Sequence, residues 1–398
     1  MDCDMTDQTQ FSDDELAIVT AVRRFVSKEV RPNVAALERE QSYPAKLVQQ
    51  MAEIGLFGLA VPESFEGLGL RLPVFAAVME TLAAGWTSLA AYVNSHSTVA
   101  YVIAKHGTPE QQQRYLPKMA AGQVRGALCL TESGAGSDLK SISTQARESA
   151  QGYRLTGNKI FVTNGGKGTL LLTLARTGTD VTTGKHHLGL FLVDKANPGV
   201  SVESVFHKMA YGLVDTVEIR FDEVAVGNDA VVGADPARGM SQLLDGLELG
   251  RIAIAASAVG LAAAALDEAV RYAGQRKTFG VTIDQHQAVQ LRLADMATKL
   301  VSARLLTAEA ARQKQAGARV DMISGMAKLH ASEMCLEIVG EALRVHGGYG
   351  YINEFTIERL YREAPLYIVG EGTNDIQKLV IARRILDGAE AQTLNLPT

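Results

Sequence analysis

Residues 252–270 read IAIAASAVGLAAAALDEAV, and this stretch decides the fold of the C-terminal part of the chain. Its apolar positions recur at steps of four and three residues, which is the spacing of one face of an α-helix. Residues 289–303 repeat the pattern, and no proline occurs between Pro236 and Pro365. Several long, proline-free amphipathic helices predict a helical bundle over residues 236–398. The two stripes consist of Ile252, Ala256, Val259, Ala263, Leu266 and Val270, and of Val289, Leu293, Met296, Leu300 and Ala303.

The preceding part of the chain, residues 125–235, has a different pattern. Short apolar runs at 170–174 and 188–193 are separated by clusters of glycine, threonine and asparagine, which is typical of β-strands joined by turns. No proline occurs between Pro117 and Pro198, so these strands can lie inside a sheet. We therefore predict a middle β-domain.

Residues 1–124 are predicted to be mainly helical. Apolar residues recur there at three- and four-residue steps. Ser12 is followed by three acidic residues, which suit the positive end of a helix dipole, and Pro109 follows Thr108 at a second predicted helix start. The order helical, β, helical predicts an α+β protein of three domains.

Composition restricts the class of protein. The chain has 398 residues, 47% of them hydrophobic, and a formal net charge of -5, so it offers no basic field for nucleic acid or an acidic membrane. Its three cysteines, Cys3, Cys129 and Cys335, lack metal or redox spacing and fit a reducing compartment. The adjacent His186 and His187 are interpreted as a solvated turn, and no metal site is expected. Without a signal-like N-terminus or an apolar stretch long enough to span a membrane, we expect a soluble, cytoplasmic protein.

Generic nucleotide and hydrolase motifs are missing from the sequence. The run Gly134-Ala135-Gly136 continues into Ser137 and lacks the third glycine of a dinucleotide fingerprint. No P-loop and no Gly-x-Ser-x-Gly nucleophile elbow occurs. Such motifs alone predict only a mixed, multi-domain protein.

Six longer strings together resemble the acyl-CoA dehydrogenase family, in that family's order and spacing, over nearly the whole chain. The resemblance implies that the C-terminal helices form a four-helix bundle and that the protein is a homotetramer, a dimer of dimers. It also implies an FAD cofactor between the β-domain and the bundle, with the ADP part reaching a neighbouring subunit. The strings are LTESGAGSD (130–138), GNKIFVTNG (157–165), RKTFG (276–280), LADM (293–296), HGGYGY (346–351) and EGTNDIQ (371–377).

The same resemblance implies which residues bind FAD. Thr131 matches the contact to the pyrimidine edge of the flavin, and Phe161 and Thr163 match positions against the isoalloxazine ring. Arg276 matches a contact to the partner's FAD, and a guanidinium suits pyrophosphate because its donors form a planar fork. The full implied set is Leu128, Thr131, Ser137, Phe161, Thr163, Arg276, Thr278, Phe279, Gln287, Arg344, Gly347, Gly348 and Thr373.

Glu371 matches the base of the short- and medium-chain branches of the family. Other branches carry the base just before an arginine of the bundle, but that position is Gly250 here, before Arg251. The implied reaction removes an α-proton and a β-hydride from an acyl-CoA to give the trans-2-enoyl-CoA, and an electron-transferring flavoprotein then takes the electrons. Ser137, Arg251 and Gly372 are the implied substrate contacts.

Short or branched acyl chains, as in fatty acid β-oxidation, are expected from the string LELGRIAIA (residues 247–255). Three departures concern the site: Arg344 stands for a common glutamine, Phe161 for a common tryptophan, and Pro365 for a common lysine. The alternatives are a flavin oxidase or monooxygenase of the same family, and a non-catalytic helical assembly subunit. Retention of Glu371 and Thr163 favours the dehydrogenase.

Overall fold

The computed structural model describes residues 11–387, apart from residues 180, 181, 183 and 185. Helices form the first part of the chain, a sheet the middle and long helices the last part. The predicted α+β class, with its helical, β and helical domains, is confirmed. The outer limits of the first and third predicted domains, residues 1 and 398, lie outside the described residues, as does Cys3. The predicted domain limits therefore stay predictions.

The N-terminal domain consists of helices with well-defined starts. Ser12 and Glu15 form a capping box at the first helix, and Thr108 forms another with Gln111 directly before Pro109, so both predicted starts are confirmed. The helices are α1 (Asp13–Phe25), α2 (Arg31–Glu40), α3 (Ala45–Glu53), α4 (Leu72–Gly85), α5 (Thr87–His106) and α6 (Pro109–Ala120), with a π-helical segment (Val26–Val30) between α1 and α2.

The middle domain is a seven-stranded sheet of β1 (Gly126–Cys129), β2 (Gln145–Ser149), β3 (Gly152–Thr163), β4 (Leu170–Thr179), β5 (His186–Asp194), β6 (Val200–Val205) and β7 (Thr216–Val226). The strand order is β1-β4-β2-β3-β7-β6, and β5 pairs with β4. β1 runs parallel to β4, whereas β3 and β7 are antiparallel. Residues 170–175 of β4 are all buried, because this strand has the core on both faces.

Long helices form the C-terminal domain, as predicted. They are α7 (Gly239–Gln275), α8 (Gln287–Gln315), α9 (Asp321–His346) and α12 (Asn374–Leu386), with the short α10 (Thr356–Glu363) and α11 (Leu366–Val369) before α12. The strands β8 (Lys277–Thr278) and β9 (Val281–Thr282) form a small hairpin between α7 and α8.

The predicted apolar stripe of α7 is wrong at its C-terminal end, where it does not coincide with the buried face of the helix. Ile252, Ala256 and Val259 are buried, but Val270 is 45% exposed. Towards the C-terminal end of the helix the buried residues are Ala265, Ala269 and Ala273 instead. Alanine allows neighbouring helices to approach closely, so the small residues mark the packed face there.

The length and composition of α7 correct the expectation that no apolar stretch is long enough to span a membrane. Within the described residues, α7 is long and apolar enough to cross a membrane, with a mean hydropathy of 1.8 in its most apolar window. However, 78% of that window is buried in the fold. The helix packs against α4, α5 and α9, as expected for the core helix of the bundle.

Candidate active site

The loop between α11 and α12 holds Glu371 in an unusual backbone conformation. Glu371 has φ +53° and the following Gly372 has φ +81°, so two consecutive residues are left-handed. A left-handed glutamate is strained relative to glycine, and such strain clusters at functional sites. The Thr373 hydroxyl then accepts a hydrogen bond from the Ile376 N–H and caps α12. The loop is thus fixed directly after the predicted base.

The Glu371 carboxylate lies where α5 and α7 face each other. Asn94 on α5 donates a hydrogen bond from Nδ2 to Glu371 Oε1 at 3.2 Å. On the α7 side, a Cβ at Gly250 would lie 2.9 Å from Glu371 Oε2. The glycine therefore leaves the space that the carboxylate occupies, and positions 250 and 371 face the same point.

The charge state of Glu371 depends on this environment. Burial raises its pKa, because removal from water disfavours the carboxylate. The charges of Arg251 and Lys328 and the Asn94 hydrogen bond limit that rise. Arg251 is only 7% exposed, and its Nε has no hydrogen-bond partner among the described residues. A carboxylate whose pKa is raised by burial is a stronger base than one in water, which suits it to accept a proton.

The β-domain presents a second group of predicted residues beside this loop. The Ile160 N–H donates to the Thr131 carbonyl at 2.8 Å, which joins the two strings LTESGAGSD and GNKIFVTNG. A register shift in the β3–β7 pairing follows at residues 159–162. Within it, Phe161 has φ +56° and is 59% exposed, with its ring centroid 5.0 Å from that of Phe206. An aromatic face is therefore presented at the surface of the sheet.

Two adjacent residues of α5 connect the two groups. Asn94 contacts the Glu371 carboxylate, and Ser95 donates from Oγ to the Thr163 carbonyl at 3.5 Å. The predicted base and the predicted flavin contact are thus held by one turn of one helix. The structure therefore brings together Thr131, Phe161 and Thr163 on one side and Glu371 on the other, around α5.

A buried ion pair supports this part of the sheet. Lys159 is fully buried and donates from Nζ to Glu132 Oε1 and to the Leu130 carbonyl, both at 2.9 Å. Burial acts to raise the pKa of Glu132, but the Lys159 ammonium and hydrogen bonds from Ser143 and Thr144 outweigh it and hold the pKa at about 2. Both charged residues lie inside the matched strings, and that position was the available sequence signal for the pair.

A separate cleft of about 470 Å³ lies at the end of α7 and α9. The Arg276 guanidinium stands over the Tyr349 ring at 5.5 Å. A Cβ at Gly347 or Gly348 would meet no atom within 4 Å, so these glycines leave open space. The lining residues are Tyr272, Arg276, Thr278, Ile283, Val345, His346, Gly347, Gly348, Tyr349 and Ile352.

The remaining predicted cofactor and substrate residues lie around these groups. Phe279 is 97% exposed beside the cleft, and Gln287 is exposed at the first residue of α8. Arg344 pairs with Glu341 and is not among the cleft residues, so its predicted phosphate contact stays a prediction. Ser137 is exposed in the loop after β1, and Leu128 lies in β1.

The residues present fit FAD at both places. The cleft combines a guanidinium, the Thr278 hydroxyl and open glycine backbone, which are groups that bind phosphate and ribose oxygens. The exposed Phe161 face and the neighbouring threonines suit a flat ring with polar edges. Among the residues that the structure describes, no group of three or more His, Cys, Asp or Glu side chains could hold a metal ion.

Comparison with known proteins identifies the family. Three family models match this chain. They are "Acyl-CoA dehydrogenase, N-terminal domain" over residues 12–123, "Acyl-CoA dehydrogenase, middle domain" over residues 127–224 and "Acyl-CoA dehydrogenase, C-terminal domain" over residues 237–386. The chain belongs to the acyl-CoA dehydrogenase family. The resemblance of the six strings to this family is thereby confirmed, and so is the prediction of an oxidoreductase that acts on acyl-CoA.

The curated relatives of this acyl-CoA dehydrogenase family member include a protein named a reductase and a protein named a dehydrogenase. It is 36% identical to the 3-(aryl)acrylate reductase of Clostridium sporogenes, covering 94% of this chain and 99% of the relative. It is 35% identical to the mitochondrial short-chain specific acyl-CoA dehydrogenase of Bos taurus, covering 92% and 88%.

Solved structures of the family superpose closely on this chain. Butyryl-CoA dehydrogenase from Megasphaera elsdenii gives a TM-score of 0.91 at 30% identity, covering 94% of this chain and 99% of that one. A chain from a structure of the electron transferring flavoprotein of Acidaminococcus fermentans gives a TM-score of 0.91 at 33% identity, covering 94% of this chain and 98% of that one. A glutaryl-CoA dehydrogenase from Mycobacterium smegmatis in complex with FADH2 gives 0.89 at 25%, covering 96% and 97%.

Proposed function

We propose that this protein catalyses FAD-dependent α,β-dehydrogenation of an acyl-CoA thioester, with Glu371 as the base that removes the α-proton. The observation that carries the proposal is the link through α5, where Asn94 holds Glu371 and Ser95 contacts Thr163. Proton removal and hydride removal take place on adjacent carbons. A base and a flavin contact held by successive residues therefore suit one substrate lying between them.

FAD is the cofactor of this family, and when bound it supplies the acceptor for the β-hydride. On this chain, Thr131, Phe161 and Thr163 would hold the isoalloxazine ring. Arg276 and Thr278, with the open glycines of the cleft, would hold the dinucleotide of a neighbouring subunit in a homotetramer. The proposal is supported by the cleft, because its lining is suited to phosphate and does not include Glu371.

Glu371 is suited to the proton step by its burial. An α-proton beside a thioester is weakly acidic, so the base needs a raised pKa and the developing oxygen charge needs a donor. Burial raises the pKa of Glu371, as described above. The Glu371 backbone N–H is the proposed donor to the thioester oxygen, and Ser137, Arg251 and Gly372 are the proposed substrate contacts.

The bovine relative's name supports a short acyl chain, and we propose short or branched acyl-CoA in fatty acid β-oxidation. The similarity to a chain described with an electron transferring flavoprotein supports such a protein as electron acceptor. We place the enzyme in the cytoplasm on the basis of its sequence.

The reverse reaction is a second candidate, because one similar relative is named a reductase. The same Glu371 would then deliver a proton to the α-carbon of an enoyl-CoA. Burial raises the pKa of Glu371, and a raised pKa favours both uptake of the α-proton in one direction and its delivery in the other.

Replacement of Glu371 by glutamine tests the proposal. Glu371→Gln should retain the oxidised-flavin spectrum but abolish its bleaching by acyl-CoAs in anaerobic titration. Asp375→Asn is a matched control, because that carboxylate lies four residues further on and its side chain is 88% exposed. Titration of wild type with acyl-CoAs of varied length and branching, and of the reduced protein with enoyl-CoAs, defines substrate and direction. Wild-type bleaching by Glu371→Gln would refute the proposed role.

A further inference from the structure

A buried lysine lies directly beneath the loop that carries Glu371. Lys328 is on α9 and is fully buried. Its Nζ donates to the Gly372 carbonyl at 3.0 Å, to Asn374 Oδ1 at 2.7 Å and to the Ile368 carbonyl at 3.5 Å. A buried ammonium is costly unless its donors are satisfied. Here three oxygens satisfy it, and all three belong to the segment that surrounds the base.

The acceptors of Lys328 are themselves held in place. Asn374 Nδ2 donates to Ser332 Oγ at 2.9 Å and to Glu333 Oε1 at 2.8 Å, both on α9. Gln377 Nε2 donates to the Gly372 carbonyl at 3.2 Å. The loop is thus bound to α9 by a connected polar network rather than by apolar packing alone.

We propose that Lys328 is a positioning residue for the base: by holding the carbonyls of Ile368 and Gly372 on either side of Glu371, it fixes the direction of the Glu371 carboxylate and backbone N–H. The inference rests on the proposed function of Glu371. The two left-handed residues, Glu371 and Gly372, are a conformation that a free loop would leave, so it needs contacts on both sides to persist.

Lys328 also acts on Glu371 through its charge. The charged groups that face Lys328 are Glu371 on the loop, Arg251 on α7 and Glu333 on α9. Burial lowers the pKa of Lys328 to about 8, Arg251 adds to that effect, and the two glutamates oppose it. The protonated lysine in turn holds down the pKa of Glu371.

This arrangement predicts a bell-shaped pH profile for flavin reduction. The rate should rise with pH as Glu371 loses its proton. It should fall again near pH 8, where the ammonium of Lys328 loses a proton, because the neutral amine binds its acceptors more weakly. The loss of the positive charge also raises the pKa of Glu371.

The test uses the FAD-loaded enzyme and three variants. Lys328→Met removes the charge and the donors, whereas Lys328→Arg keeps both and does not titrate in this range. Lys314→Met is the matched control, since Lys314 is also a buried lysine, with a 4% exposed side chain, but its ion-pair partners are Asp245 and Glu248 rather than residues of the loop. The measurements are the limiting rate of anaerobic flavin bleaching, the acyl-CoA concentration at half-saturation, and both as functions of pH.

For Lys328→Met we expect a limiting rate lower by about 10- to 100-fold, because displacement of a reacting group by about 1 Å can cost about 100-fold. Half-saturation should change little, the acidic limb should move to higher pH, and the limb near pH 8 should disappear. Lys328→Arg should keep the acidic limb in place and lose only the alkaline limb. An independent readout is the infrared carboxyl band of Glu371, assigned by difference from Glu371→Gln, whose titration should shift to higher pH in Lys328→Met.

The outcomes separate the two proposals. If Glu371→Gln bleaches like wild type, the proposed function fails. If Glu371→Gln is inactive but Lys328→Met shows the wild-type pH profile and carboxyl titration, with only the lowered thermal stability of Lys314→Met, then Lys328 is merely structural and the positioning role is overturned. Should Lys328→Met not fold, Lys328→Arg decides, because an alkaline limb that stays near pH 8 in that variant contradicts the inference.

Discussion

Gly250→Ala should separate catalysis from stability. The added Cβ would lie 2.9 Å from Glu371 Oε2 and 3.2 Å from its Cδ, whereas ordinary contact begins at 3.4 Å. The carboxylate must therefore move away by about half an ångström, which strains its 3.2 Å hydrogen bond from Asn94. Since a displacement of about 1 Å can cost about 100-fold in rate, we expect about a tenfold loss in the rate of flavin bleaching.

The stability of the same variant should not fall. Position 250 is inside α7, where alanine is favoured over glycine by up to about 1 kcal/mol. The three nearest atoms all belong to the end of the Glu371 side chain, which can turn. The thermal midpoint should therefore be unchanged or raised while the rate drops.

Stopped-flow flavin bleaching and calorimetry on the same preparations measure both effects. Gly340→Ala in α9 is the control, because a Cβ there meets nothing within 4 Å. It should gain the helical stability without the loss of rate. A Gly250→Ala enzyme with wild-type rate and wild-type pH dependence would show that the carboxylate does not work at the place where the structure puts it.

Two further predictions concern the scaffold around the site. Lys159→Met leaves the buried Glu132 carboxylate without its ion-pair partner and should lower the free energy of unfolding, measured by urea titration, by about 3–5 kcal/mol. The double variant Lys159→Met/Glu132→Gln should recover part of that loss. Equal losses in the single and double variants would contradict a coupled pair. Burial lowers the pKa of His96 from 6.5 to about 4, so the unfolded chain binds the proton more tightly and stability is lost as pH falls from 6.5 towards 4. His96→Gln should flatten this part of the unfolding profile, and an unchanged slope would exclude His96 as its cause.

The matched strings predicted the fold well, and they also contain the residues proposed for the site. Thr131, Thr163 and Glu371 lie inside those strings, and the structure gathers them around α5. Helical periodicity was sufficient for the core of α7, where Ile252 and Ala256 are buried. Local sequence is informative here because each pattern depends on residues that are near neighbours in the chain.

The residues that hold the site could not be predicted in the same way. Asn94 and Lys328 read as polar interruptions of helical patterns, and their partners lie 277 and 44 residues further along the chain. Their roles depend on which helix face meets the loop that carries Glu371. That is a property of packing, and it becomes visible only when α5, α9 and the loop are in place.

The left-handed backbone of Glu371 has a consequence for how this enzyme could lose its activity. Glycine adopts φ +53° at less cost than glutamate, and a single nucleotide separates their codons. A change to glycine would therefore relax the backbone and leave the cleft at the end of α7 and α9 untouched. Folding alone would not resist that substitution. With Glu371 as the proposed base, a well-folded but inactive protein would therefore lie one mutation away.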